Sequence, residues 1–245
     1  MRELLETHRM SGNVFPLIGG HRGCTCSYQE NSIQAMEEGI RRGADYLEID
    51  IQLTKDRIPI VFHDIDVEPK TGLKGLVQDH TYREMVDAYH VPTLREVLQW
   101  GKKTHAFFAL ELKSMAYLTQ RSNLDLVPLL NGIVREEDML EHVEAFGVDY
   151  TVLAKLHALN PHFDIGLIVP FVPRDPIALM RGMDAMVYLT YVYNITPEMV
   201  EKLQFHGYYV SGAILEDQAL IHYAVRTRVD MFEHNHPGQF QMMRR

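Results

Sequence analysis

Cysteine is nearly absent from the 245-residue chain: two residues, Cys24 and Cys26, separated by one position. Two cysteines cannot build a disulfide framework in a chain of this length, and with no matching pair elsewhere they are a weak zinc signal. Positive charge is in deficit. Twenty-four Lys and Arg stand against thirty-three Asp and Glu, a formal net charge of −9, which disfavours nucleic acid as a partner unless a local basic patch overrides the average. No run approaches about 18 uninterrupted apolar residues, so no membrane span is expected. The opening Met1-Arg2-Glu3-Leu4-Leu5-Glu6 has acids where a secretory signal would be basic, and the cytoplasm is the expected compartment. There is no Pro/Gly/Ser-rich linker, no low-complexity segment, and no feature that sets an oligomeric state. A single domain over residues 1–245 is therefore expected, a length sufficient to bury a core without staples.

What is present alternates. Extended apolar runs at 14–18, 46–53, 58–62, 106–112, 142–146, 165–169, 185–190, 208–215 and 231–233 are separated by helical patterns. One such helix runs from Ser32 to a basic last turn and Gly43; Thr93 with Glu96 forms a capping box; Thr196-Pro197 opens another helix. Residues 65–90 break the rhythm and read as an excursion. About eight strand–helix units at this length predict a single TIM (β/α)8 barrel with a small insertion after the second strand. A doubly wound sheet competes, but no Gly-x-Gly-x-x-Gly follows the first strand.

The chemistry-bearing residues fall at strand ends. Glu48 and Asp50 lie two apart on a strand and so share one face, with Leu47, Ile49 and Ile51 on the other. Parallel barrel strands are covered on both faces, and two buried like charges need a compensator. A hard divalent cation, Mg²⁺ or Ca²⁺, is the natural one, since both take oxygen ligands; a half-exposed acidic strand is the competing explanation. Glu111 and Lys113 repeat the pattern, as a third ligand with a cation beside it or as a simple salt pair. His21-Arg22-Gly23 and His63-Asp64 close two strands, placing proton-transfer groups and a phosphate clamp where barrel active sites lie. His234-Asn235-His236 either reaches the same rim or merely ends a strand. Tyr188, Tyr191 and Tyr193 do not keep one strand face.

Taken together, His21-Arg22-Gly23, Glu30-Asn31-Ser32, the run Gly43 to Asp56 containing Glu48-Ile49-Asp50, Pro59 to Asp64, Pro92-Thr93-Leu94 and Leu110-Glu111-Leu112-Lys113 resemble the glycerophosphodiester phosphodiesterases. The resemblance is dense over residues 17–113 and collinear to about 237. It implies a TIM barrel with an excursion after the second strand. It also implies a divalent cation at Glu48, Asp50 and Glu111, His21 and His63 as acid and base, and phosphate contacts from Arg22 and Lys113. The implied substrate is a small glycerophosphodiester, cleaved to glycerol phosphate and an alcohol. A phospholipase D-like enzyme acting on lysolipid or sphingolipid headgroups, and a binding relative without turnover, are the alternatives. The chain departs from the family in its second half: Ala213 stands where the family places a tryptophan near the substrate, and His234-Asn235-His236-Pro237 replaces Thr-Asp-x-Pro.

Overall fold

A computed structural model describes residues 1–213 and 215–240. Among these residues nine strands follow one another as β1 (Leu17–His21), β2 (Tyr46–Leu53), β3 (Pro59–Val61), β4 (Phe108–Leu112), β5 (Val143–Gly147), β6 (Ile165–Ile168), β7 (Val187–Thr190), β8 (Tyr209–Gly212) and β9 (Met231–His234). Eight of them pair in parallel in the ring β1-β9-β8-β7-β6-β5-β4-β2, which the β1–β2 pairing closes. The result is the TIM barrel anticipated from the alternation. Helices α1 (Arg2–Met10) to α10 (Gln218–Thr227) include α2 (Ile33–Arg41), which follows β1, and α6 (Ala116–Glu136), which follows β4.

The clearest differences from the sequence reading concern three of the expected runs. The run 58–62 is a strand, but β3 lies antiparallel on β2 outside the ring, with Ile51 opposite Val61. The first strand begins later than 14–18 and includes Gly19, Gly20 and His21. Glycine serves there as an inward-facing residue. A Cβ on Gly19 would sit 2.5 Å from the Tyr46 ring, so the bulky tyrosine of the next strand occupies the space. Of the expected strand 208–215, β8 covers Tyr209–Gly212, and Ile214 lies outside the described residues.

Strand parity sorts the core into two layers. Ile18, Leu47, Ile49, Ile51, Leu110 and Val143 face the helices. The alternate residues Leu17, Tyr46, Ala109, Phe146, Leu189 and Met231 fill the barrel. Met1 and Leu5 of α1 join this inner layer, and Arg9 hydrogen-bonds the Tyr208 carbonyl and Asp230 at 2.9 Å each. The first helix therefore closes the end of the barrel at which the strands begin. The excursion at 65–90 carries a small apolar cluster of its own, Val67, Val77 and Met85 packed with Ile60 and Phe62. It contains α3 (Glu68–Thr71) and α4 (Tyr82–Tyr89), the latter capped by Thr81 with Glu84.

One inward carboxyl lies away from the rim. Burial pushes Glu144 of β5 from its ordinary 4.5 up to about 8, and its Oε2 has no hydrogen-bond partner among the described residues. The folded state thus holds this proton more tightly than the unfolded chain does. Stability from this group is fullest below pH 4.5 and is lost as pH rises through about 8. Glu144→Gln is expected to raise stability above pH 8 by about 2–4 kcal/mol and to leave it nearly unchanged at pH 4. Urea unfolding at the two pH values checks this; an equal effect at both would contradict it.

Candidate active site

The sequence around His21 forces the chain to turn sharply off the end of β1. Arg22 and Gly23 both take positive φ, +52° and +89°. At position 23 a Cβ would lie 2.5 Å from the Ala35 carbonyl carbon, so only glycine allows α2 to pack this closely. Asn31, also at positive φ, stands just before the Ser32 cap of α2. Left-handed non-glycine residues store strain and gather at functional sites; here the turn aims two backbone and side-chain donors at β2. The Arg22 N–H donates to Glu48 Oε2 at 3.0 Å, and Asn31 Nδ2 donates to Asp50 Oδ2 at 2.7 Å.

Register then brings the acids together. His21 is paired with Glu48 across β1–β2, and Asp50 with Glu111 across β2–β4. Carboxylate oxygens of Glu48, Asp50 and Glu111 lie within 4.8 Å of one another. Glu48 and Asp50 are fully buried, and Glu48 Oε1 and Asp50 Oδ1 have no hydrogen-bond partner among the described residues. Burial first, then the charge of Asp50, pushes Glu48 well above its ordinary range; burial also raises Glu111. Orphaned oxygens converging in a desolvated space are a donor set suited to a hard divalent cation, so the residues fit the ion the sequence called for.

Two cations flank the cluster. Lys113 Nζ lies 2.8 Å from Glu111 and 3.5 Å from Asp50, and Arg22 Nε lies 3.5 Å from Asp50. Arg22 is held from behind by Glu30 at 2.9 Å. Glu30 also pairs with Lys70 of the excursion, which reaches Asp64 at 3.0 Å. The excursion therefore braces the rim.

The two histidines have different partners. His21 Nδ1–H donates to Asn235 Oδ1 at 2.7 Å, leaving Nε2 at 3.8 Å from Glu48. Burial, reinforced by the neighbouring Arg22 charge, lowers His21 to about 4, so its ring is neutral around pH 7. His63 Nδ1–H donates instead to Asp64 at 2.6 Å. Its loop is pinned by Gln52, on the same β2 face as the acids, whose Nε2 donates to the carbonyls of Phe62, His63 and Asp64.

Sequence reasoning missed Asn31, Gln52 and Glu233. Glu233 of β9 is buried, burial and Glu111 push it up to about 8, and its Oε1 has no hydrogen-bond partner among the described residues. With Glu111, Phe146, Ile168, Tyr191 and Ala213 it lines a cavity of about 160 Å³ at the mouth of the barrel. Its strand carries no second acid two positions away, so parity gave no signal. A larger groove of about 490 Å³ beside Arg57, Pro128 and Glu136 contains none of these site residues. Asn235 settles part of what was open at the chain's end: it reaches the rim by bonding His21.

The pattern of the Glycerophosphoryl diester phosphodiesterase family matches residues 21–239. The chain is 31% identical to a glycerophosphodiester phosphodiesterase from Bacillus altitudinis over 76% of its own length and 80% of that protein. It is 26% identical to a lysophospholipase D from Homo sapiens over 62% of the chain and 51% of that protein. Among solved structures, an Oleispira antarctica phosphodiesterase in complex with sn-glycerol-3-phosphate shares the fold, with a TM-score of 0.80 at 20% identity, covering 93% of this chain and 96% of that one. The family pattern spans both histidines, all three clustered acids and both flanking cations; the chain belongs to the glycerophosphoryl diester phosphodiesterase family, a family of hydrolases.

Proposed function

We propose that the chain hydrolyses glycerophosphodiesters to glycerol phosphate and an alcohol in a reaction that depends on a divalent cation, Mg²⁺ or Ca²⁺. The observation that carries this reading is the convergence of Glu48, Asp50 and Glu111 between Arg22 and Lys113. When bound to those carboxylates, the cation supplies Lewis-acid polarisation of the phosphoryl group. Arg22 and Lys113 hold the remaining phosphate oxygens and offset the charge that grows on them in the transition state. His21, neutral and backed by the Asn235 amide, takes the proton of the attacking oxygen at Nε2. His63 delivers a proton to the departing alkoxide, because the Asp64 carboxylate behind it stabilises the charge that the protonated ring carries. The oxygen of the attacking water bonds to phosphorus as the phosphorus–oxygen bond to the alcohol breaks, and the alcohol leaves neutral. The test is alcohol release from glycerophosphocholine and glycerophosphoethanolamine. No release from any glycerophosphodiester with either cation would defeat the reading.

A second reading, cleavage of lysolipid headgroups, is favoured by one feature. Large apolar side chains are exposed on consecutive segments after β4 to β7: Met115, Tyr117, Val148, Phe171, Tyr191 and Tyr193. Tyr191, stacked on Tyr193 at 5.2 Å, also lines the catalytic cavity, so apolar surface runs from the site outward. The small side chain of Ala213 forms part of that cavity's wall. Ala213→Trp is expected to lower kcat/KM for lysophosphatidylcholine relative to glycerophosphocholine by about 10-fold, chiefly through KM, since a filled apolar subsite is worth about 1–3 kcal/mol. Equal ratios for wild type and variant would show that this position does not shape specificity.

A further inference from the structure

A second set of donors, chemically unlike the carboxylates, meets on the rim. The Sγ atoms of Cys24 and Cys26 and a ring nitrogen of His236 lie within 4.8 Å of one another. The thiols come from the turn between β1 and α2, and the imidazole from the residues just after β9. They are neighbours because β1 and β9 pair, with Gly20 opposite His234. Cys24 is buried and its N–H is tied to the Ala35 carbonyl at 2.8 Å, whereas Cys26 is exposed. The two sulfurs share a hydrogen bond at 2.7 Å, and the His236 ring lies beside Cys26. No carboxylate belongs to the group.

Two thiolates and an imidazole select a borderline-soft ion over Mg²⁺ or Ca²⁺, which demand oxygen. Zinc bonds of about 2.3 Å to sulfur and about 2.0–2.1 Å to nitrogen place tetrahedral donors within reach of this spacing. The sulfurs must part by about 1 Å to accept the ion, a movement that falls to the exposed Cys26. We infer that Cys24, Cys26 and His236 form a second metal site that takes Zn²⁺ with one coordination position open, separate from the carboxylate cluster. Both thiols are free in the described structure, and binding releases their protons to solvent. The site adjoins the catalytic machinery. The His236 N–H donates to His234 Nδ1 at 2.8 Å, and the intervening Asn235 holds His21 at 2.7 Å, so a ligated His236 anchors the segment that orients the catalytic ring.

Cobalt is the probe that reports the donor type. The reduced full-length chain, in excess Mg²⁺ to cover the carboxylates, is expected to develop a thiolate-to-cobalt charge-transfer band on titration with Co²⁺. The band should saturate at a single ion per chain and be bleached by Zn²⁺. Cys26→Ser, at an exposed position, and His236→Ala, at a half-buried one, are expected to lose the band with unchanged circular dichroism. Three results would overturn the site: no band while both thiols titrate as free, a band that survives His236→Ala, or thiols joined to one another under the reducing conditions used.

Discussion

His63→Ala is expected to lower kcat by about 10²–10⁴-fold on a glycerophosphodiester while the chain stays folded, the usual worth of a positioned acid or base. The ring is half-buried at the rim, outside the apolar core, and its loop is held by Gln52 and by the Phe62 N–H bond to the Asp50 carbonyl rather than by the imidazole. His21→Ala should cost a similar factor. Asp64→Asn should cost less, because it removes the charge behind His63 and keeps a hydrogen-bonding group in place. The pair also differs in what an activated leaving group rescues. A substrate whose alcohol leaves readily as its anion needs no acid, so it should restore most of the rate to His63→Ala and little to His21→Ala. Steady-state kinetics on glycerophosphocholine and on a nitrophenyl phosphodiester, with circular dichroism as the folding control, separates these outcomes. Near-normal turnover in either folded variant would remove that histidine from the mechanism; rescue of His21→Ala alone would reverse the two roles.

Glu48→Gln is expected to move activity and stability in opposite directions. The amide oxygen keeps an acceptor for the Arg22 N–H but is a poorer donor to a hard cation, and loss of several kcal/mol of transition-state stabilisation corresponds to about 10²–10⁴-fold in turnover. In the cation-free protein the same change removes a charge that burial and Asp50 already oppose. The cation-free variant should therefore unfold at higher denaturant than cation-free wild type. Wild type should also gain stability on adding Mg²⁺ or Ca²⁺, and Glu48→Gln should gain much less. Urea unfolding of both proteins with and without the cation measures this directly. A variant that is inactive, less stable without cation and equally stabilised by it would place the ion elsewhere.

The legible half of the site was legible for a single physical reason. On a strand, parity decides the face, and Glu48, Asp50 and Glu111 all sit at inward parity on strands that parallel pairing covers on both sides. His21 and His63 could be placed because strand ends in a barrel meet at one rim. What parity does not encode is contact between distant segments. Asn235 on His21, Asn31 on Asp50 and Lys70 bridging Glu30 to Asp64 each join residues far apart in sequence, and none repeats with a period. Gly19 and Gly20 were read as ending the first strand because glycine usually does; the bulk of Tyr46 makes glycine an interior residue there. The helix Arg2–Met10 was missed because its apolar stripe, Met1, Leu4 and Leu5, spans a single turn among charged residues. The cysteine pair looked solitary for the same reason: its third donor, His236, lies more than two hundred residues away and is brought near by the β1–β9 pairing.

The most direct test of the central claim, cation-dependent hydrolysis at the Glu48–Asp50–Glu111 cluster, is glycerol phosphate release from glycerophosphocholine before and after chelation. Treatment with EDTA and its removal should abolish turnover, and Mg²⁺ or Ca²⁺ should restore it in wild type but not in Glu48→Gln. Full activity in the thoroughly chelated protein, or restoration of the variant to the wild-type rate, would contradict the account.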